Sequence, residues 1–203
     1  MWKLGLTGSI ASGKSTALAA FAELGVPVFS SDEAVHELYQ GEAVPVVEQL
    51  FPGVTKDGAI DRVELSKRVL GHPEKLKALE SAVHPLVRAR IAKFLADAES
   101  TGAALAIVDI PLLFEGGHDY GLDRVAVTIA EDETIRKRAL ARPGMSVDKL
   151  DAILARQMPQ AEKRKRADYL LYTERSVAAT KAAVKALVEA LRAAPQGLPK
   201  GSQ

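Results

Sequence analysis

Gly8-Ser9-Ile10-Ala11-Ser12-Gly13-Lys14-Ser15 satisfies every fixed position of the phosphate-loop pattern G-x-x-x-x-G-K-[ST]. The apolar run 2–7 before it predicts a short buried strand, and the run 15–24 after it predicts a helix that ends at Gly25. A strand, a loop and a helix in this order are the context that the pattern requires. The sequence therefore predicts a binding site for a nucleoside triphosphate at this loop.

The chemistry of the predicted site comes mainly from the backbone. Gly8 and Gly13 allow the chain to bend closely around phosphate oxygens. The side chain of Lys14 is expected to reach the β- and γ-phosphates, and the hydroxyl of Ser15 is expected to ligate Mg²⁺. Backbone N–H groups and the start of the helix supply positive potential. The triphosphate is therefore expected to contact Gly8, Ala11, Ser12, Gly13, Lys14, Ser15 and Thr16.

The composition is that of an ordinary globular domain, since 47% of the 203 residues are hydrophobic and 26% are charged. The chain contains no cysteine, which excludes disulfides and thiolate metal sites. A net charge of +1 argues against a protein that binds nucleic acid through the charge of the phosphates. No apolar run is as long as a membrane span, so no transmembrane helix is predicted. Because the first residues enter a strand directly, we expect no signal peptide and a cytoplasmic location.

Asp32 follows a second predicted strand, residues 26–29, and has two interpretations. Ser30 and Glu33 form a capping-box pattern for a helix over 34–39, so Asp32 is a first-turn acid favoured by the helix dipole. Alternatively, Asp32 is a carboxylate at the carboxyl end of a strand, where open α/β sheets bind their ligands. A carboxylate there accepts the proton of an attacking hydroxyl. The residue pattern alone leaves both interpretations open.

A helical insertion that carries the acceptor substrate is predicted over about 33–102. Apolar periodicity there indicates several helices, with breaks at 52–53, 57–58 and 71–73. A long helix is expected from Pro85 to about 99, which puts His84 at its start, either as a packed or capping residue or as a ligand. The basic residues of the insertion either meet an anionic ligand or form solvated helix faces: Arg62, Lys67, Arg68, Arg88 and Arg90.

The rest of the chain predicts a three-layer α/β fold with a parallel sheet. Residues 104–109, 124–129 and 169–172 are expected to be strands, and 177–193 a helix. Asp109 is either a turn former or an acid that contacts Mg²⁺ through water. The run 111–117 is expected to be an apolar loop.

Two arginine-bearing helices, over 131–142 and 146–158, are joined at Pro143-Gly144. They predict a lid over about 131–166 that closes on the triphosphate, or else a pair of amphipathic helices with solvated charges. Residues 163–166 are expected to be a solvated helix face, and the tail 195–203 is expected to be disordered.

Several motifs beyond the loop match one kinase family. Residues 3–176 resemble dephospho-CoA kinases, which implies a P-loop core, a helical CoA-binding region and a mobile lid. The resemblance also implies ATP-dependent phosphorylation of the ribose 3′-hydroxyl of dephospho-CoA, the last step of coenzyme A synthesis. The stretches that carry it are 5–16, Asp32, His84-Pro85, Pro111-Leu112-Leu113-Phe114-Glu115, Arg138, Arg142, Gln157 and Ala167-Asp168. The Pro-Leu-Leu-Phe-Glu run and the His-Pro pair are more specific than the phosphate loop, which many kinases share.

The resemblance implies roles for individual residues. Asp32 matches the family's catalytic base, which favours the functional interpretation of that carboxylate. Arg138 is expected to be a catalytic lid residue and Arg142 an ATP-binding one, while His84 and Leu112 are expected to contact dephospho-CoA. The chain departs from the family's usual residues at Ser9, Ser30, His36 and Tyr172-Thr173, where the family usually has Gly, an acid, Arg and Asp-Asn.

Two other functions are compatible with parts of the sequence. A nucleoside or nucleotide monophosphate kinase shares the loop, the insertion and the lid, and differs in its acceptor. A GTP-dependent switch needs an Asn-Lys-x-Asp guanine motif, which this sequence lacks. We expect a monomer or weak homo-oligomer whose partner is a small molecule, with no nucleic acid and no membrane.

Overall fold

A parallel sheet forms the centre of the fold in the computed structural model, which describes residues 1–194. The strands of the described residues are β1 (Trp2–Gly8), β2 (Val28–Ser30), β3 (Thr55–Lys56), β4 (Ala59–Ile60), β5 (Leu105–Asp109), β6 (Arg124–Ile129) and β7 (Tyr169–Tyr172). Five of them form this sheet in the order β2-β5-β1-β6-β7, with β1 paired in parallel to β5 and β6, and β6 paired in parallel to β7. The predicted α/β fold with a parallel sheet is confirmed.

Ten helices occur in the same part of the chain. They are α1 (Lys14–Glu23), α2 (Ser31–Leu38), α3 (Val44–Leu50), α4 (Arg62–Val69), α5 (Pro73–Ser100), α6 (Leu113–Gly116), α7 (Asp132–Leu140), α8 (Val147–Arg156), α9 (Gln160–Arg166) and α10 (Val177–Ala193). Within residues 1–194, none of them is long and apolar enough to cross a membrane. The predicted disorder of 195–203 falls outside the described residues.

The described residues form two compact units, one made of residues 1–29 and 95–194, and the other of residues 30–94. In the first unit, α1 and α10 contact each other and pack on the sheet. Leu4 and Leu6 of β1, Phe21 of α1 and Val188 of α10 belong to its buried core. Burial of each such side chain contributes about 1.5–3 kcal/mol, so this core holds the start of α1 firmly against β1.

In the second unit, residues 57–58 form a hairpin turn between β3 and β4. The prediction of a simple break between two helices at this point is therefore wrong. Asp57 and Gly58 both have positive φ, 52° and 80°, as the two central residues of a type I′ turn require. Asp-Gly is a favoured pair for that turn, so the sequence did contain the signal.

The prediction that a helix begins at Pro85 is wrong, because α5 runs through that position. A proline inside a helix removes one hydrogen bond and costs about 3 kcal/mol. Leu79, Val83, Val87 and Ile91 are nevertheless buried at intervals of four residues on both sides of it. This buried stripe outweighs the cost of the proline.

Two smaller expectations also need correction. The run 111–117 is not entirely a loop, since it contains α6, whose Leu113 is buried. Gly117, with φ +63°, ends that helical turn. Helix α2 begins at Ser31 and not at 34, and its cap is the predicted one, because the Ser30 hydroxyl accepts the N–H of Glu33 at 3.3 Å.

Candidate active site

The predicted phosphate loop connects β1 to the first residue of α1. Gly13 is the N-cap of α1 with φ +87°, and no side chain caps this end of the helix. The first N–H groups of any α-helix lack partners within the helix. The loop therefore presents N–H donors and the positive end of the α1 dipole to an anion.

Threonines at the ends of neighbouring strands hold the loop in shape. The hydroxyls of Ser12 in the loop and Thr128 near the end of β6 lie 2.7 Å apart, and Thr128 also bonds to the carbonyl of Thr7 at 3.3 Å. A Cβ at Gly8 would clash with the Thr128 hydroxyl and would come within 2.5 Å of Ser12 Oγ. Gly8 is thus required by the close approach of β1, the loop and β6.

Lys14, the first residue of α1, and Asp109, the last residue of β5, form an ion pair. The ammonium of Lys14 contacts both carboxylate oxygens of Asp109 and lies 2.6 Å from Oδ2. The two side chains are only 14% and 5% exposed, so water screens this pair weakly. The ion pair places the charge of Lys14 at the edge of the sheet where the loop opens.

Arg138, expected to act in a lid, contacts the residue that follows β7. Its Nη2 donates to the carbonyl oxygen of Thr173 at 2.8 Å, and its Nη1 lies 3.3 Å from the Thr173 hydroxyl. Thr173 in turn donates to the carbonyl oxygen of Ser12 at 2.8 Å. The structure therefore brings Arg138 and the phosphate loop to a common partner. Arg142 is exposed just beyond the end of α7.

The segment between α8 and α9 reaches the other side of the loop. The side-chain oxygen of Gln157 accepts the N–H of Ile10 at 3.0 Å. One residue later, the N–H of Met158 donates to Glu115 at 2.7 Å. Two consecutive residues thus attach this segment to the loop and to the end of α6.

The burial of Lys163 contradicts the prediction that residues 163–166 form a solvated helix face. Its side chain is fully buried, and Nζ lies 3.0 Å from Oε1 of Glu115. Burial alone would raise the pKa of Glu115, but the N–H of Met158 and the ammonium of Lys163 lower it below its ordinary value. Glu115, the last residue of the Pro-Leu-Leu-Phe-Glu run, is therefore an ionised anchor for the segment between α8 and α9.

Other predicted site residues lie on the surfaces of their elements. Asp32 is exposed in the first turn of α2, and His84 is exposed within α5, both in the unit of residues 30–94. Leu112, in the other unit, is 38% exposed at the start of α6. Ser15 is exposed in the first turn of α1. Arg90 is paired with Glu37 and Glu42, as a residue of a charged surface would be.

Sequence reasoning missed several residues that contact the loop. Thr128 and Thr173 lie at or just after the ends of apolar strands, where parallel sheets gather polar groups, so a position signal existed for both. For Gln157 the signal was the family resemblance, which gave it no contact with the loop. For the burial of Lys163 the sequence offers no signal, because it sits within a run of four basic residues.

Comparisons with known proteins agree with this geometry. The family model for dephospho-CoA kinase matches residues 2–179. A dephospho-CoA kinase from Brucella melitensis is 54% identical over 173 residues, which cover 85% of this chain and 86% of the relative.

Two solved structures are also similar along nearly their whole length. The Thermus thermophilus protein TT1252 has a TM-score of 0.79 and 36% identity, covering 94% of this chain and 97% of that one. A dephospho-CoA kinase from Campylobacter jejuni has a TM-score of 0.67 and 27% identity, covering 93% and 96%. With its intact phosphate loop, its parallel sheet and these relatives, the chain belongs to the dephospho-CoA kinase family.

Proposed function

We propose that the chain catalyses the family's reaction, the phosphorylation of dephospho-CoA by ATP. Four residues have separate roles in this proposal: Lys14, Asp32, Arg138 and Arg142. In this reaction the acceptor's ribose 3′-oxygen forms a bond to the γ-phosphorus. The bond between that phosphorus and the β,γ-bridging oxygen breaks, and ADP leaves. The hydroxyl proton passes to a carboxylate and then to solvent.

The phosphate loop binds the triphosphate through the free N–H groups that begin α1. Lys14 places its ammonium against the β- and γ-phosphates, where negative charge shifts as the bond to ADP breaks. The ion pair with Asp109 supports this role, because it holds the Lys14 ammonium beside the loop until a phosphate takes the place of the carboxylate. Preorganised charge of this kind stabilises the transition state without reorganisation during the reaction.

Asp32 is the proposed proton acceptor. The hydroxyl of Ser30 already caps α2, so the exposed carboxylate of Asp32 is not used as the helix cap. The place of Asp32 in the first turn of α2 also suits the helix dipole, so the proposal rests on the match of Asp32 to the family's catalytic base. Because phosphoryl transfer passes through a loose transition state, Asp32 chiefly orients the acceptor hydroxyl and takes its proton late.

Arg138 and Arg142 neutralise charge on the transferred group. Both belong to the predicted lid of residues 131–166, whose closure would also exclude water from the reacting phosphate. The link between Arg138 and the loop through Thr173 supports this placement. Residues of the predicted insertion over 33–102, including His84, together with Leu112, bind the CoA portion of the acceptor.

The residues present also fit a Mg²⁺ ion held mainly by phosphates. Mg²⁺ bound to a nucleotide uses one or two protein ligands and several waters. Ser15 offers an exposed hydroxyl at the start of α1, and within residues 1–194 no cluster of three or more His, Cys, Asp or Glu suggests an all-protein metal cage. Bound beside Ser15, the ion would supply positive charge that offsets the negative charge of the phosphates.

The observation that carries the proposal is the intact loop, with Lys14 fixed and α1 uncapped, in a chain 54% identical to a dephospho-CoA kinase. A coupled ADP-release assay with ATP and Mg²⁺ tests it against dephospho-CoA, adenosine, AMP, CMP and water. We expect turnover only with dephospho-CoA, and a product with the mass of CoA. Turnover on a nucleoside or a monophosphate, or ADP release without an acceptor, would contradict the proposal.

A further inference from the structure

Thr173 is a buried residue with contacts to three parts of the site. It is 5% exposed and directly follows β7, where its N–H donates to the carbonyl of Ile129 at 3.0 Å and so extends the pairing of β7 with β6. Its hydroxyl lies 2.8 Å from the carbonyl oxygen of Ser12 and 3.4 Å from that of Ile129. One O–H donates to one acceptor at a time, so the shorter bond, to Ser12, takes the proton.

The bond to Ser12 fixes the orientation of one peptide group of the loop. The chain has no cis peptide bond in its described residues, so the Ser12 carbonyl and the Gly13 N–H point in opposite directions. Holding the carbonyl toward Thr173 therefore turns the Gly13 N–H away from Thr173 and toward the open side of the loop. That N–H is one of the donors at the start of α1.

The side chain of Thr173 also packs closely against Gly13 of the same peptide. A Cβ at Gly13 would lie 2.8 Å from both Cβ and Oγ1 of Thr173, so the two residues are in close contact. Thr173 thus blocks the rotation that would turn the Ser12–Gly13 peptide over. Glycine is required at 13 both by this contact and by its φ of +87°.

Arg138 contacts Thr173 at two atoms, the backbone carbonyl oxygen and the side-chain hydroxyl. One guanidinium nitrogen donates to the backbone carbonyl of Thr173 at 2.8 Å, and the other lies 3.3 Å from the hydroxyl. The stronger of these contacts is to the backbone, which a change of side chain leaves in place. A loss of the hydroxyl therefore affects the loop more than it affects Arg138.

We propose that Thr173 is a positioning residue, whose hydroxyl sets the Ser12–Gly13 peptide so that the Gly13 N–H donates to the β-phosphate region of the nucleotide. The inference rests on the proposed function only in taking a nucleoside triphosphate as the ligand of the loop. It does not depend on the identity of the acceptor.

The test compares Thr173→Val, which removes the hydroxyl at nearly constant shape, with Thr173→Ser, which keeps it. Thr180→Val is the matched control, because Thr180 is also buried and its hydroxyl donates to the carbonyl of Ser176, the N-cap of α10, which lies outside the phosphate loop. Calorimetric titration with Mg²⁺-ADP gives the dissociation constant without an acceptor. Steady-state assays with ATP and dephospho-CoA give kcat and KM.

We expect Thr173→Val to raise the dissociation constant for ADP and the KM for ATP about tenfold, the effect of losing one hydrogen bond, with a smaller fall in kcat. Thr173→Ser and Thr180→Val should both bind ADP as the parent protein does. Wild-type affinity in Thr173→Val, or an equal loss in Thr180→Val, would overturn the proposal.

Should Thr173→Val fail to fold, Thr173→Ser and Thr173→Ala differ in the hydroxyl alone and decide the question in the same assay. Equal ADP affinity in these two variants would contradict a role for the hydroxyl. A parent protein that binds ADP and does not phosphorylate dephospho-CoA would refute the proposed function, while the ADP titrations would still decide the role of Thr173.

Discussion

Replacing Glu115 by Gln should destabilise the protein strongly, although the two side chains have nearly the same shape. The change removes the negative charge 3.0 Å from Nζ of Lys163, whose side chain is fully buried. An ammonium left buried without its partner costs about 3–5 kcal/mol. In a chain of this size each kcal/mol lowers Tm by about 2–4 °C, so we expect a fall of about 10 °C.

Lys163→Met should cost less than Glu115→Gln. After that change the Glu115 carboxylate still accepts the N–H of Met158 at 2.7 Å, and its side chain remains 16% exposed to water. The double variant Glu115→Gln, Lys163→Met removes both charges and leaves an uncharged methionine in the buried position. We expect it to be more stable than Glu115→Gln alone, because no unpaired charge remains.

Thermal unfolding near neutral pH, followed by circular dichroism, measures these effects. Glu162→Gln is the matched control on α9, since Glu162 pairs with Lys165 at 2.7 Å while both side chains are exposed by about half or more, 48% and 70%. Such a surface pair contributes about 0–1 kcal/mol. Equal Tm values for Glu115→Gln and Glu162→Gln, or no recovery in the double variant, would refute the argument from burial.

Three further outcomes follow from the site. Lys14→Ala should lower kcat/KM by a factor of several hundred or more, about 3–4 kcal/mol, in the coupled assay with dephospho-CoA, and a change below tenfold would exclude a transition-state role. Asp32→Asn should lower kcat and leave the calorimetric affinity for ADP unchanged, whereas an unchanged kcat would remove Asp32 from catalysis. Because the pKa of Glu115 is lowered from 4.5 in the folded protein, its stabilising effect is present above that value and is lost as the pH falls through the folded pKa. The parent protein should therefore lose more Tm than Lys163→Met as the pH falls from 4.5 toward the lower folded pKa of Glu115, and parallel curves would contradict this assignment.

The elements with strong local signals were predictable from the sequence. The strands 124–129 and 169–172 and the helix 177–193 have the bounds that the apolar pattern indicated. The predicted helix start at Pro85 is wrong, because it relied on the local rule that proline disfavours a helix interior. The buried stripe of apolar residues continues on both sides of Pro85 and keeps the helix intact. Energies from packing along a long helix exceed the cost of one missing hydrogen bond, and packing is not visible in a short window of sequence.

The residues of the candidate site also differ in how far the sequence could predict them. Residues within the loop were predictable because a contiguous motif positions them, and the same holds for the cap at Ser30. The supports of the loop were not, because Thr128, Thr173 and Gln157 reach it only after the strands have paired. The burial of Lys163 depends on Glu115, 48 residues earlier in the chain, and a run of basic residues hides it.

Because Lys14 is already paired with Asp109, we expect phosphate capture at Lys14 to exchange one anion for another. The ammonium already contacts two oxygens of a carboxylate that is itself only 5% exposed. We expect chloride or a single inorganic phosphate to make too few contacts to displace such a partner. A polyphosphate chain would also bond to the N–H groups at the start of α1, and those additional bonds would offset the loss of the carboxylate. We therefore expect the loop to select polyphosphates over simple anions.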